Sequence, residues 1–98
     1  MEIKYKNKQI ERVCTNRKAA ERKHGSEMAE IIFQRIGQIR TFDTVEELVK
    51  YRIGFCHQLS GARKGQYAMK LVQPYRLIFE MIDGVIQIAK IIEIVDYH

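Results

Sequence analysis

The spacing of apolar residues along the chain changes near Gly54. Between Lys8 and Ile39 the apolar residues recur every three or four positions, which is the spacing of one helix face. After Gly54 they alternate with polar residues, which is typical of strands with one buried face. A short opening strand is also predicted, because Ile3 and Tyr5 alternate with charged residues. We therefore expect a helical first half and a strand-rich second half.

Capping residues delimit the predicted helices. After a first short helix, Asn16 is expected to cap a second one that Gly25 ends. Ser26 is expected to cap the third helix, and Asp43 with Glu46 resembles a capping box before a short fourth one. The apolar stripe of the third helix indicates core packing and comprises Met28, Ala29, Ile32, Phe33, Ile36 and Ile39.

Four strands are predicted in the second half, over residues 55–59, 66–72, 75–82 and 85–95. Asp83-Gly84 is a two-residue hairpin signal of type I′ between the last two strands. Alternate positions form the faces: Tyr67, Met69 and Leu71 oppose Gln66, Ala68 and Lys70, while Tyr75, Leu77, Phe79 and Met81 oppose Arg76, Ile78 and Glu80. The last strand is expected to place Ile86, Ile88, Ile92 and Ile94 on one face.

Together these elements predict an α+β fold. The N-terminal helices are expected to pack on one face of a twisted, mostly antiparallel sheet. The chain has 98 residues, of which 46% are hydrophobic, so a single domain over residues 1–98 with one modest core is expected. Its net charge is +5 and its pI is about 9.4, which favours an acidic partner such as nucleic acid, the ribosome or an acidic protein. A basic domain without such a partner fits the charge equally well.

The cysteine and histidine positions indicate neither a disulfide nor a metal site. Cys14 and Cys56 fit no C-x-x-C spacing and are expected to be buried free thiols in a reducing compartment. The three histidines are scattered without ligand spacing, so no metal and no cofactor are expected. The first residues contain no apolar signal-peptide region, and no apolar stretch is long enough to span a bilayer. We therefore expect a cytoplasmic protein without membrane association.

Residues 57–67 contain the highest density of side chains that could take part in catalysis or binding. His57 can move protons near neutral pH, Arg63 and Lys64 can hold phosphate, and Tyr67 can stack on a base. Each side chain also has an ordinary interpretation as a solvated or structural residue. The combination nevertheless matches what metal-free cleavage of an RNA strand requires.

Two further groups are expected to lie near this segment. Lys70 and Arg76 come from neighbouring strands and share a face of the sheet. Glu80 lies on that face too, and pairing with it would make Arg76 a structural residue. The last three residues, Asp96, Tyr97 and His98, follow an apolar strand, which favours anchoring to the sheet over a frayed tail.

Cleavage of RNA by its own 2′-hydroxyl requires a base, an acid and cations around the phosphorane. Two imidazoles with a pKa near ~6.5 can act as base and acid at neutral pH. His57 and His98 are the candidates, and their roles stay interchangeable at this stage. DNA lacks the 2′-hydroxyl and would resist this reaction.

The chain resembles the HigB host-inhibition toxins of the RelE/ParE superfamily, the plasmid maintenance system killer proteins. The resemblance covers nearly the whole chain. It rests on His57-x-Leu59-x-Gly61-x-Arg63-Lys64-Gly65-x-Tyr67, on Pro74-Tyr75-Arg76-Leu77-x-Phe79, on Ala20-x-x-Lys23-x-Gly25-x-x-Met28-Ala29 and on the terminal Asp96-Tyr97-His98. The chain has Ser60 where some relatives carry lysine and Tyr67 where tryptophan is frequent.

The resemblance implies the toxin of a type II toxin–antitoxin module. Such a toxin would cleave mRNA in the 30S A site of the ribosome, and a helix-turn-helix antitoxin of the HigA type would neutralise it. Operator DNA would be contacted only through that antitoxin. The implied catalytic residues are His57, Asp96, Tyr97 and His98, together with Arg76 at the scissile phosphate. Arg63, Lys64, Lys70 and Tyr67 would bind RNA or phosphate.

Two alternatives remain open at this stage. The first is a ParE-like inhibitor of DNA gyrase on the same fold, without nuclease chemistry. The second is a basic interaction module whose histidines are incidental. A gyrase inhibitor has no need of paired imidazoles, so His57 and His98 favour the nuclease.

Overall fold

The computed structural model describes residues 1–82 and 84–96. Its helices are α1 (Lys8–Thr15), α2 (Arg17–His24), α3 (Ser26–Thr41) and α4 (Val45–Lys50). Its strands are β1 (Glu2–Tyr5), β2 (His57–Gln58), β3 (Gln66–Lys70), β4 (Tyr75–Ile82) and β5 (Ile88–Asp96). Short 3₁₀ turns span Ile53–Phe55 and Gly61–Arg63. The predicted division into a helical and a strand-rich half is confirmed.

The helices begin largely where the capping residues predict. Asn16 caps α2, and its side-chain oxygen accepts a hydrogen bond from Ala19 N at 3.0 Å. Ser26, in contrast, lies inside the first turn of α3, and the N-cap is Gly25 with a φ of 87°. The prediction for Ser26 is wrong because the left-handed glycine both ends α2 and starts α3, which leaves no separate capping position.

The fourth helix is also displaced by one residue from its predicted cap. Thr44 is the N-cap of α4, and its hydroxyl accepts a hydrogen bond from Glu47 N at 3.3 Å. The predicted capping box of Asp43 and Glu46 is therefore wrong, although the short helix itself is present. Threonine and aspartate are both good caps, so the sequence alone does not separate these two registers. Across the described ranges, no helix combines the length and apolar character needed to cross a membrane.

The five strands form one sheet in the order β1-β5-β4-β3-β2. β1 runs parallel to β5, and the other neighbouring pairs are antiparallel. The longest strands, β4 and β5, therefore lie at the centre, while the two-residue β2 forms an edge. This is the predicted α+β architecture with a mostly antiparallel sheet.

The helices cover one face of the sheet and form the main core. Leu77, Phe79 and Ile91 are fully buried there against Ile32, Ile39 and Leu48 of the helices. We call the opposite face, which carries Ala68, Lys70, Arg76 and Ile78, the open face. A small second cluster lies on it, formed by Leu59, Ala68 and Ile78 with Ile92 and Val95 packed against them. The predicted faces of β3 and β4 agree with these two clusters.

Strand β5 contains a bulge that the alternation rule misses. Ile91 and Glu93 pair with consecutive residues of β4, so Ile92 is left over between them. Ile92 contacts the cluster on the open face, whereas Ile94 contacts the helix-side core. The prediction that these two side chains share a face is therefore wrong, because one extra residue inverts the alternation.

The connection between β4 and β5 is longer than predicted. The last pair is Ile82 with Ile88, so residues 83–87 lie between the strands instead of a two-residue turn. Asp83 lies outside the described residues, and Gly84 does not have the positive φ of a type I′ turn. Val85 and Ile86 are exposed in this connection and do not belong to β5.

The strand predicted over residues 55–59 is shortened by its backbone. Arg52, Gly54 and Phe55 have φ angles of 54°, 57° and 54°, in the left-handed region. These angles form a tight turn, so the strand begins only at His57 and ends at Gln58. His57 consequently lies directly after a constrained turn at the edge of the sheet.

Candidate active site

One end of the open face brings together the cations predicted from separate strands. Lys70 on β3 pairs with Arg76 on β4, and Arg76 pairs in turn with Val95 on β5. His57 on β2 pairs with Ala68, two residues from Lys70 on the same face. Strands lie about 4.8 Å apart and rise about 3.3 Å per residue, so the Cα atoms of His57 and Arg76 are roughly 12 Å apart. Both side chains can therefore reach one phosphate group placed between them.

The His57 ring is exposed and its orientation is fixed by a backbone contact. His57 Nδ1 lies 3.0 Å from the carbonyl oxygen of Phe55. A carbonyl oxygen only accepts hydrogen bonds, so Nδ1 carries a proton and donates it. In the neutral ring the lone pair is therefore on Nε2, which is the atom available to take a proton from a substrate.

Arg76 is half-buried and hydrogen-bonds to neutral groups. Its Nη1 donates to Gln73 Oε1 at 2.9 Å and to the Tyr75 carbonyl at 3.0 Å. Glu80, the carboxylate that could have made Arg76 structural, pairs instead with Lys90 at 3.6 Å. Within residues 1–82 and 84–96, no carboxylate forms an ion pair with Arg76, so its positive charge is not neutralised there.

Lys70 adds a second positive charge beside Arg76. Its Nζ lies 5.0 Å from the centre of the Phe55 ring. Like charges directly opposite each other on neighbouring strands destabilise a sheet. An anion bound between Lys70 and Arg76 would relieve that repulsion, so the pair favours a phosphate-binding role.

The two cations of the loop, Arg63 and Lys64, differ in their ion pairing. Arg63 forms an ion pair with Glu93 of β5, which lies three strands away from β2. Glu93 lies on the open face, opposite Ile78 of β4. The loop that carries Arg63 must therefore extend over the open face for this ion pair to form. Lys64 is exposed beside it. Of the two predicted phosphate-binding residues in this loop, Arg63 is therefore paired with a carboxylate, whereas no ion pair of Lys64 is seen among the described residues.

Tyr67 lies on the other face of the sheet from His57. Its ring is half-buried and stacks on Phe79, with ring centroids 5.7 Å apart and an angle of 18° between the planes. Phe79 belongs to the helix-side core. In this position Tyr67 supports the core beneath β3, and contact with an RNA base on the open face would require its ring to leave Phe79.

The carboxyl end of β5 reaches the same end of the sheet. Asp96 pairs with Tyr75, next to the pair of Arg76 with Val95. Asp96 is exposed. Tyr97 and His98, which the sequence nominates for catalysis, follow it directly but lie outside the described residues.

The remaining titratable groups near His57 do not supply a nucleophile. Burial raises the pKa of the Cys56 thiol to about 12, so it is neutral at physiological pH. Cys14 is buried elsewhere, and burial raises its pKa to about 12 as well. His24 lies at the end of α2. Burial is the main cause that lowers its pKa, and the nearby positive charge of Lys23 lowers it further. Across the described parts of the chain, histidine, cysteine and carboxylate side chains form no group of three that could hold a metal ion.

Two residues that the sequence did not single out shape the surroundings of His57. Phe55 is 59% exposed, and its carbonyl oxygen lies 3.0 Å from His57 Nδ1. Arg35 of α3 donates from Nε to the Lys70 carbonyl oxygen at 2.6 Å, and burial lowers its pKa. The charge of Arg35 within an otherwise apolar helix stripe was the one sequence signal that could have revealed this contact.

The similarity of this chain to known proteins is a similarity of fold. No family model matches the chain, and no curated protein matches it either. A solved structure, the YoeB/ParE toxin from Agrobacterium tumefaciens, is similar with a TM-score of 0.69 over 100% of both chains and an identity of 14%. The chain therefore shares the overall fold of this toxin structure.

Proposed function

We propose that this chain is the toxin of a type II toxin–antitoxin module and a ribosome-dependent mRNA endonuclease of the HigB type. The observation that carries the proposal is the register of the sheet. It supports a shared site because Lys70, Arg76 and the carboxyl end of β5 lie at one end of the open face, and His57 lies on the same face two residues away, opposite Ala68. A toxin fold gives the same proposal independent support.

The proposed reaction is attack of an RNA 2′-hydroxyl on the adjacent phosphate. His57 and His98 together would supply the base for that hydroxyl and the acid for the departing 5′-oxygen. The free lone pair on His57 Nε2 suits either role as the ring cycles between its neutral and protonated forms. Asp96 would orient an imidazole or contact the 2′-hydroxyl, and Tyr97 would stack on a base.

Arg76 and Lys70 would hold the scissile phosphate. Arg76 has further N–H donors beyond the Nη1 that contacts Gln73 and Tyr75, and these suit two phosphate oxygens at once. Charge that develops on the phosphorane would be stabilised in place, which typically contributes a factor of about 10²–10³ per donor. Proton transfer by the imidazoles would add roughly 10²–10⁴. Lys64 would contact a phosphate farther along the strand, and Arg63 would do so only after leaving Glu93.

The proposed partners follow from the charge and the fold. A helix-turn-helix antitoxin of the HigA type would neutralise the toxin, and an acidic segment of it suits the cationic end of the open face. The mRNA would be engaged in the 30S A site, in the cytoplasm. A ParE-like inhibitor of DNA gyrase is the second candidate, because the similar solved structure is named as both a YoeB and a ParE toxin.

Expression in bacterial cells followed by mapping of mRNA 5′ ends tests the proposal. The unmodified chain should arrest growth and produce new 5′ ends within translated mRNAs. His57→Ala and Arg76→Ala should abolish both effects. His24→Ala is a matched control because it removes an imidazole at the end of α2, away from the sheet, and it should leave cleavage intact.

The outcomes separate the candidates. Growth arrest with intact mRNA and accumulating DNA damage would refute the nuclease and support gyrase inhibition. Absence of toxicity from the unmodified, folded chain would refute both toxin functions and favour an interaction module. Equal cleavage by the His57→Ala variant would refute the assigned site while leaving the nuclease function in place.

A further inference from the structure

Phe55 is an exposed aromatic residue at the candidate active site. The residue is 59% exposed, and its carbonyl oxygen accepts the hydrogen bond from His57 Nδ1 at 3.0 Å. Burial of a phenylalanine side chain stabilises a fold, so the exposure of Phe55 forgoes much of this stabilisation. Phe55 is also tied to the position of the proposed base, because one residue carries both the ring and the carbonyl that orients His57.

The backbone holds this ring outward at a conformational cost. Phe55 and Arg52 both have a φ of 54°, and left-handed geometry is unfavourable for a residue other than glycine. Gly54 between them has a φ of 57°, and a Cβ there would lie 2.7 Å from Arg35 Nε. A strained and closely packed turn that exposes an aromatic ring is typical of a functional site.

Two cations lie close to the ring. Lys70 Nζ is 5.0 Å from the ring centre, and the Arg52 guanidinium carbon is 6.0 Å from it. An exposed cation–π contact is weaker than the stacking of a base on an aromatic ring. A base can therefore displace either cation from the ring, and the released cation is then free to contact a phosphate of the same strand.

We propose that Phe55 stacks on a base of the RNA strand next to the scissile phosphate. The proposal rests on the proposed nuclease function and deepens it by naming a substrate-binding residue. Phe55 takes the stacking role that the sequence suggested for Tyr67, because Tyr67 stacks on Phe79 on the opposite face. Stacking does not read a base identity, so Phe55 would position the strand and leave codon choice to other contacts.

The test uses ribosomes programmed with an mRNA that carries 2-aminopurine and 2′-O-methyl groups in the A-site codon. The 2′-O-methyl groups block the attack, so the complex is stable, and stacking quenches 2-aminopurine fluorescence. The unmodified chain and Phe55→Trp should quench it. Phe55→Leu keeps an apolar side chain without a π face and should quench little and bind at least 10-fold more weakly.

Tyr51→Leu is the matched control. Tyr51 is 58% exposed and also lies near a cation, but it packs on Phe42 at the end of α4 instead of beside His57. It should bind and quench like the unmodified chain. Unchanged melting temperatures for both leucine variants would show that folding is not affected.

The outcomes distinguish this proposal from the proposed function. Equal quenching and affinity in Phe55→Leu would refute the stacking role alone. Quenching that depends on Phe55, without mRNA cleavage in cells by the unmodified chain, would refute the nuclease and leave the RNA contact. If the unmodified chain does not bind programmed ribosomes at all, both proposals are refuted, and the exposed ring would then belong to an interface with a protein partner.

Discussion

Replacement of Gly54 by alanine tests how the turn before His57 is held. Gly54 has a φ of 57°, and a Cβ at this position would lie 2.7 Å from Arg35 Nε and 2.9 Å from Arg35 Cδ. These distances are too short, so the Arg35 side chain has to move. Its hydrogen bond from Nε to the Lys70 carbonyl oxygen, 2.6 Å long, is then lost.

The expected loss can be separated from the general effect of removing a glycine. Left-handed geometry costs alanine about 1–2 kcal/mol, partly offset by about 0.4–1 kcal/mol from the reduced freedom of the unfolded chain. Gly61 has a similar φ of 65°, and a Cβ there would meet no atom within 4 Å, so Gly61→Ala carries these two contributions alone. A hydrogen bond to a charged group contributes about 1.5–3 kcal/mol. Gly54→Ala should therefore be less stable than Gly61→Ala by about 2 kcal/mol.

Thermal unfolding followed by circular dichroism measures this difference. For a domain of this size 1 kcal/mol corresponds to roughly 4–8 °C, so the melting temperature of Gly54→Ala should be roughly 8–16 °C lower than that of Gly61→Ala. In an Arg35→Ala background the hydrogen bond is already absent, and the two glycine variants should then differ little. Equal melting temperatures in the Arg35-containing protein would refute the reasoning.

Two further predictions concern the ion pair on the open face and the buried thiols. The ion pair of Arg63 with Glu93 is partly exposed, so Glu93→Gln should change the free energy of unfolding in urea by less than about 1 kcal/mol; a loss of more than about 2 kcal/mol would show that the pair is structural. The pKa values of Cys14 and Cys56 are raised by burial from 9.0 to about 12, so above pH 9 the unfolded state loses thiol protons that the folded state keeps. The free energy of unfolding should therefore fall as the pH rises from 9 towards 12. Between pH 8 and pH 10.5, urea unfolding should show a loss that exceeds the loss in a variant with both cysteines replaced by alanine by about 1–2 kcal/mol per thiol. Equal losses in the two proteins would refute the linkage.

The sequence predicts the parts of this fold that depend on periodic burial. The apolar stripe of α3 and the alternation in β3 and β4 place side chains correctly, because one buried face dominates each element. The bulge at Ile92 escapes this reasoning. Its side chain and that of Ile94 are both isoleucine, so hydrophobicity is unchanged while the face is inverted.

The candidate site is less predictable than the fold because its contacts join distant residues. The sequence indicates that Lys70 and Arg76 lie together, since they share a face of neighbouring strands. It does not indicate that Arg63 forms an ion pair with Glu93, which is 30 residues away in the sequence. Nor does alternation reveal the left-handed angles at Arg52 and Phe55, which shorten the expected strand and turn the Phe55 ring outward.

The two sides of the candidate site differ in how firmly the fold holds them. Arg76 lies on β4, a central strand paired along both sides, so its position follows from many hydrogen bonds. His57 lies on the two-residue edge strand β2, paired on one side only, and depends on the turn held by Gly54 and Arg35. Local opening requires less free energy where fewer contacts are broken, so β2 should open before β4. A change in that turn would therefore alter the distance from His57 to Arg76, and thus the proposed cleavage, before it unfolds the central sheet.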